Sequence, residues 1–188
     1  MKRSRALIPA VLILPVLVGW QPAGVALAGP ATLGVVADAS VNSAFPSINY
    51  GATSPLHVDG SPVVATYLRF NVGSGPPSTV VLSIYPTSSQ STGLDVHSLS
   101  DDSWVESALT WNNHPAWDPA VLASSGPASA GVRLNISLPA ASVPSSGNAD
   151  FVLTTSNATA LALASRESVN PPQLAITATP PPSPSPSP

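Results

Sequence analysis

The 188-residue sequence contains no cysteine, and charged side chains make up only 8% of it. Without thiols there is no disulfide framework, no thiolate metal site and no cysteine nucleophile, so stability must come from burial. The only lysine is Lys2, and it shares the N-terminal segment with Arg3 and Arg5. Beyond that segment three arginines, Arg69, Arg133 and Arg166, face nine acidic residues, a net charge of −6 with histidine neutral. That leaves no basic footprint to neutralise phosphates, which excludes nucleic acid as a partner. GxSxG, HExxH and phosphate-loop motifs are missing, and with them the commonest hydrolase, zinc-protease and nucleotide frameworks. His57, His97 and His114 show neither HxH nor HxxxH spacing, so they read as turn or surface residues and not as metal ligands.

Basic residues 2, 3 and 5 precede an apolar run over 6–18, and Ala26-Leu27-Ala28 supplies a small-x-small cleavage pattern. This predicts a signal peptide over residues 1–28 and a secreted protein, free outside the cell or held at its wall. An uncleaved anchor is the competing reading. The run is short for a span and is interrupted by Pro9 and Pro15, so no membrane span is expected after cleavage. Residues 180–188, PPPSPSPSP, cannot build a hydrogen-bonded ladder and favour a stiff polyproline II chain. Such a tail is a linker to a further domain beyond Pro188, or a terminal spacer in the envelope. Residues 29–179 between these ends suffice for one domain.

That domain reads as successive strands. Residues 66–72 (TYLRFNV) alternate, with Leu68, Phe70 and Val72 inward and Tyr67, Arg69 and Asn71 outward. Residues 80–85 (VVLSIY) suit a central strand, and 132–138 (VRLNISL) place Val132, Leu134, Ile136 and Leu138 on one face. Further strands are expected over 151–155, 161–165 and 173–177. Asp59-Gly60 predicts a hairpin turn between 56–58 and 63–64, and 140–143 a single helical turn. Many short strands between turn clusters argue an all-β, antiparallel, jelly-roll-like β-sandwich.

Several motifs stand in a distinctive order: residues 37–41 (ADASV), Asn49-Tyr50-Gly51, 56–58 (LHV), 67–70 (YLRF) and Ile84-Tyr85. Trp104-x-Glu106, Thr110-Trp111-Asn112-Asn113 and Pro115-Ala116 follow, then Ser165-Arg166-Glu167 with Pro171 and Leu174. Order and spacing resemble the DNRLRE-domain family, also described as carbohydrate-binding module family 96, over roughly residues 37–177. The literal string that names the family is absent, and Val132 stands where its pattern has a tryptophan. The resemblance implies an extracellular β-sandwich that binds polysaccharide, with alginate-like uronate polymers among the family's ligands. A charge of −6 favours a neutral glycan over a uronate polymer for this chain.

Trp104, Glu106, Trp111 and Asn112 have two readings, a sugar platform or a packed strand–turn–strand corner, and the area that indoles bury favours the corner. Trp117 and Tyr50 fall on loops, where binding residues concentrate, and are the candidate stacking residues. Arg69, outward on its strand, is a candidate contact for a sugar carboxylate. Asp101 and Asp102 are candidate ligands of a structural Ca²⁺, which takes carboxylate and carbonyl oxygens from loops. No other cofactor is expected.

The favoured function is a non-catalytic polysaccharide-binding module appended to a larger extracellular or cell-wall protein. One alternative is a structural or adhesive spacer of the envelope. Another is a jelly-roll lyase or hydrolase using the acids near Asp101 and Glu106, which lack the facing carboxylate pair that glycoside hydrolysis requires.

Overall fold

The structure, a computed structural model, describes residues 30–73 and 75–178; the expected signal peptide and Pro/Ser tail lie outside them. Ten strands follow one another: β1 (Ala31–Asn42), β2 (Leu56–Gly60), β3 (Val63–Val72), β4 (Pro77–Ile84), β5 (Asp95–Ser98), β6 (Val121–Ser124), β7 (Leu134–Leu138), β8 (Gly147–Thr154), β9 (Leu161–Leu163) and β10 (Gln173–Ala178). A short 3₁₀ turn at Ala140–Ser142 matches the expected helical turn. No helix among the described residues is long and apolar enough to cross a membrane.

Every strand pair is antiparallel. One sheet runs β1-β10-β4-β7 and the other β1-β3-β8-β5-β6. The chain crosses between these sheets from β3 to β4, β4 to β5, β6 to β7 and β7 to β8, as in a jelly roll, while β2–β3 and β5–β6 are hairpins within one sheet. β1 belongs to both. Residues 31–34 pair with β10, residues 35–42 pair with β3, and the register shifts between Val35 and Ala37. That bulge re-aims the strand: Val35 enters the core between the sheets, whereas Ala39 and Val41 face the other way. At the far edges β6 and β7 come into contact, leaving the sandwich almost closed.

The main core follows the predicted alternation. Leu68 and Phe70 of β3, Leu82 and Ile84 of β4, and Phe151 and Leu153 of β8 are fully buried, each worth about 1.5–3 kcal/mol by transfer. β2 and β9 add Leu56, Val58, Leu161 and Leu163 to this core.

Three local expectations need correction, and two strands were not foreseen. The hairpin turns at Ser61-Pro62, because Asp59 and Gly60 already pair with Val64 and Val63. Gly60 is required for close approach, since a Cβ there would lie 2.8 Å from the Ser156 carbonyl. Val132, expected inside, is 59% exposed and precedes β7, its amide donating to the Ser129 carbonyl. β5 and β6 carry no pattern long enough to detect, with only four residues each. Finally, residues 99–120 contain no strand, so the tryptophan-rich stretch is a long loop and not a strand–turn–strand corner.

Phe151 packs beside Phe70 with ring centroids 6.3 Å apart. Phe151→Ala is expected to cost about 3–5 kcal/mol in urea unfolding; a loss below about 1 kcal/mol would contradict this placement of the core.

Candidate functional site

β3 turns Tyr67 and Arg69 away from the main core, but they do not meet open solvent. Residues 99–120 lie over them and create a second core in which Leu99, Trp104 and Leu109 pack on Ala39, Val41, Ala65, Tyr67 and Val152. Trp104 Nε1 donates to Asp150 Oδ1 at 2.7 Å, and Arg69 Nε donates to the same oxygen at 2.8 Å. The Arg69 guanidinium stands 4.5 Å from the centre of the Trp104 ring and also donates to the carbonyls of Trp104 and Asp102. Arg69, expected to touch ligand, is therefore an anchor of the loop. Burial raises the Asp150 carboxyl above its ordinary range, opposed by the Arg69 charge and then by the Trp104 hydrogen bond.

Tyr67 is wholly buried, and its hydroxyl donates to the Pro115 carbonyl at 2.7 Å. Burial pushes its phenol upward, which keeps that donor protonated. Above it, His114 lies 4.9 Å from Trp111 and is stacked at 5.4 Å on Trp117. Both indoles are half-buried against the second core. Trp117 thus shares its loop with Trp104 and Trp111 and helps roof Tyr67, at a ring distance of 6.3 Å.

Asn49-Tyr50-Gly51 fits against the same loop. Asn49 Nδ2 donates to the carbonyls of Glu106 and Leu109, at 2.7 and 2.8 Å. A Cβ on Gly51 would fall 2.1 Å from the Glu106 carbonyl oxygen, so only glycine fits. Asn112 reaches the neighbouring connection, its amide donating to the Pro46 carbonyl and its side chain to Ser47 Oγ.

Glu106 points to a group of charges at the sandwich edge. Carboxylate oxygens of Asp38, Glu106 and Glu167 lie within 4.8 Å of one another. Arg166 bridges Glu106 at 2.7 Å and Glu167 at 3.2 Å, while its backbone amide donates to Asp38 Oδ2. Asp38 is 1% exposed. Burial, abetted by Glu167 and Glu106, pushes its carboxyl up to about 6 against the hydrogen bond from the Arg166 amide. Glu106 is also raised, by burial first, with Arg166 opposing. Among the described residues these three, and not Asp101 and Asp102, are the carboxylates that converge. Asp101 instead turns to Ser103, whose side-chain hydroxyl first and backbone amide second hold its carboxyl below the ordinary range. Asp102 faces Asn148 at 3.4 Å.

Tyr50 itself opens on a cleft of about 200 Å³ at one end of the sandwich, lined by Asn42 of β1, His57 and Asp59 of β2, Pro62 and Val64. Ser40 backs it, accepting the His57 amide at 3.0 Å and meeting Thr66 Oγ1 at 2.9 Å. Asn42 Oδ1 accepts the Ala44 amide and Asp59 Oδ1 the Ser61 amide. Among the described residues this leaves the Asn42 amide nitrogen, the second Asp59 oxygen and the His57 ring nitrogens facing solvent without a protein partner. The cleft combines one aromatic side chain with donors and acceptors fixed on strands, a combination suited to a polyhydroxylated ligand. Of the residues that line this cleft, sequence reasoning had named Tyr50 and not Asn42, His57 or Asp59. Their signal was the i, i+2 polar spacing at Ser40-x-Asn42 and His57-x-Asp59, which sets each pair on one strand face.

The Asp38 group has a thermodynamic consequence. Its folded pKa of about 6 exceeds the ordinary 3.8, so the folded state binds a proton before the unfolded state does. Stability at this site is expected to rise as pH falls through 6 toward 4, by at most about 3 kcal/mol. Asp38→Asn is expected to flatten the melting-temperature profile between pH 7.5 and 5 and to stabilise the protein at pH 7.5. An unchanged slope would refute the assignment.

A search of curated proteins returns no significant match to the chain. A family model described as carbohydrate-binding module family 96 matches residues 29–178, a span that holds every strand, the folded-over loop and the cleft. The chain belongs to carbohydrate-binding module family 96.

Proposed function

We propose that the protein is a secreted, non-catalytic module that attaches a larger extracellular or cell-wall protein to a neutral polysaccharide, through the cleft beside Tyr50. Family membership supports carbohydrate binding, and the basic-then-apolar N-terminal segment and the Pro/Ser tail support secretion and appendage. The observation that carries the reading is the cleft, which an aromatic side chain and polar groups held on paired strands line together. A pyranose offers a C–H face to such a ring and hydroxyls to such groups.

Charge supports a neutral ligand. Asp59 lines the cleft, and no arginine does. Arg69 is paired with Asp150 and Arg166 with Glu106 and Glu167. Arg133 lies over the Tyr85 ring and donates to the Pro171 carbonyl. A uronate polymer would meet a carboxylate in the cleft and a chain of net charge −6. The acidic group offers little to catalysis, since Asp38 is buried and Glu106 and Glu167 share the Arg166 guanidinium.

In affinity electrophoresis the protein is expected to be retarded by at least one of hydroxyethylcellulose, xylan and glucomannan, and not by alginate. Tyr50→Ala is expected to weaken that retention about tenfold while leaving the thermal melt unchanged. Retention by alginate alone would overturn the neutral-glycan reading. Retention untouched by Tyr50→Ala would remove the cleft from it.

A further inference from the structure

The connection from β1 to β2 begins at Asn42 and passes Tyr50, both of which line the cleft. Between them Phe45 is 58% exposed and Ile48 is 49% exposed. Single exposed apolar residues need no explanation; these two lie three residues apart on one short stretch whose two ends, Asn42 and Tyr50, line the cleft. The chain that carries them is tightly held. Ser43 donates to the Val63 carbonyl of β3, Phe45 to that of Asn42, and Ile48 to that of Phe45, at 2.9–3.1 Å. From the other side, Asn112 of the folded-over loop binds the Pro46 carbonyl at 3.0 Å and Ser47 Oγ at 3.1 Å.

The backbone that carries the exposed phenyl ring of Phe45 is already ordered, so covering the ring does not cost the ordering of the loop. The ring's place on the rim beside the cleft determines what can cover it. A glycan chain seated at Tyr50 and leaving over residues 43–49 reaches Phe45 next. No charged residue falls between Asn42 and Tyr50 to select an ionic partner.

We infer that residues 43–49 form a second glycan subsite, in which Phe45, flanked by Ile48, stacks a sugar further along the chain held at Tyr50. This rests on the carbohydrate reading of the cleft and makes the module a binder of chain interiors, with affinity that grows with oligosaccharide length. Tyr50 holds the short ligand, and Phe45 supplies the gain from a longer one.

The test uses competition. Protein retarded by hydroxyethylcellulose, xylan or glucomannan is released with the matching disaccharide and hexasaccharide. The hexasaccharide is expected to release the wild-type protein at about tenfold lower concentration. Phe45→Ala is expected to erase that advantage and keep the disaccharide affinity, whereas Phe45→Trp, with a larger face, is expected to widen it. A hexasaccharide advantage that survives Phe45→Ala overturns the subsite and leaves the cleft standing. If Tyr50→Ala alone leaves both affinities unchanged, the cleft falls. Retardation of the wild-type protein by none of the three polymers removes the glycan reading and the subsite with it.

Discussion

One buried oxygen organises this protein. Asp150 Oδ1 receives the indole N–H of Trp104 and the Nε–H of Arg69, joining β8, β3 and the loop between β5 and β6. Removing either donor would leave a buried carboxylate short of partners, which costs more than the net worth of the bond. Because the oxygen is satisfied, a loop with no regular structure can lie on a sheet face and exclude water from it. The second core, with Tyr67 at its centre, exists only under that loop.

From this anchor the loop imposes geometry on its surroundings. Its carbonyls at Glu106 and Leu109 hold Asn49, and its Asn112 holds residues 46 and 47. The chain around Tyr50 is thereby fixed from one side, while Ser40, Thr66 and His57 brace the cleft from the other. The tryptophan-rich stretch shapes the surroundings of the cleft without lining it. Its acidic member, Glu106, contributes in the same indirect manner, as a partner of Arg166.

The sheet strands were legible because their inward residues alternate and their lengths exceed the noise of composition. β3 is the clearest case, with Leu68, Phe70 and Val72 all in the main core. The same rule misjudged Tyr67 and Arg69, since alternation states which face a residue occupies and not whether a distant loop will cover it. β5 and β6 were invisible because each owes its conformation to a neighbour, β5 to β8 and β6 to β5, and not to its own four residues. At the site, Tyr50 was legible as an aromatic beside glycine. Asn42, His57 and Asp59 were not, because only the fold brings β1, β2 and β3 to a common end. The glycines illustrate the same limit: Gly51 and Gly60 answer to carbonyl groups many residues away, a constraint that no local pattern records.

The pairing of β1 with β10 sets Ala31 directly opposite Ile176. Chain entering the domain and chain leaving it therefore run side by side at one edge. Between these two ends the domain adds almost nothing to the end-to-end length of its own polypeptide. Tension applied through both ends would peel two antiparallel strands apart rung by rung, a mechanically soft mode, long before it stretched the cleft.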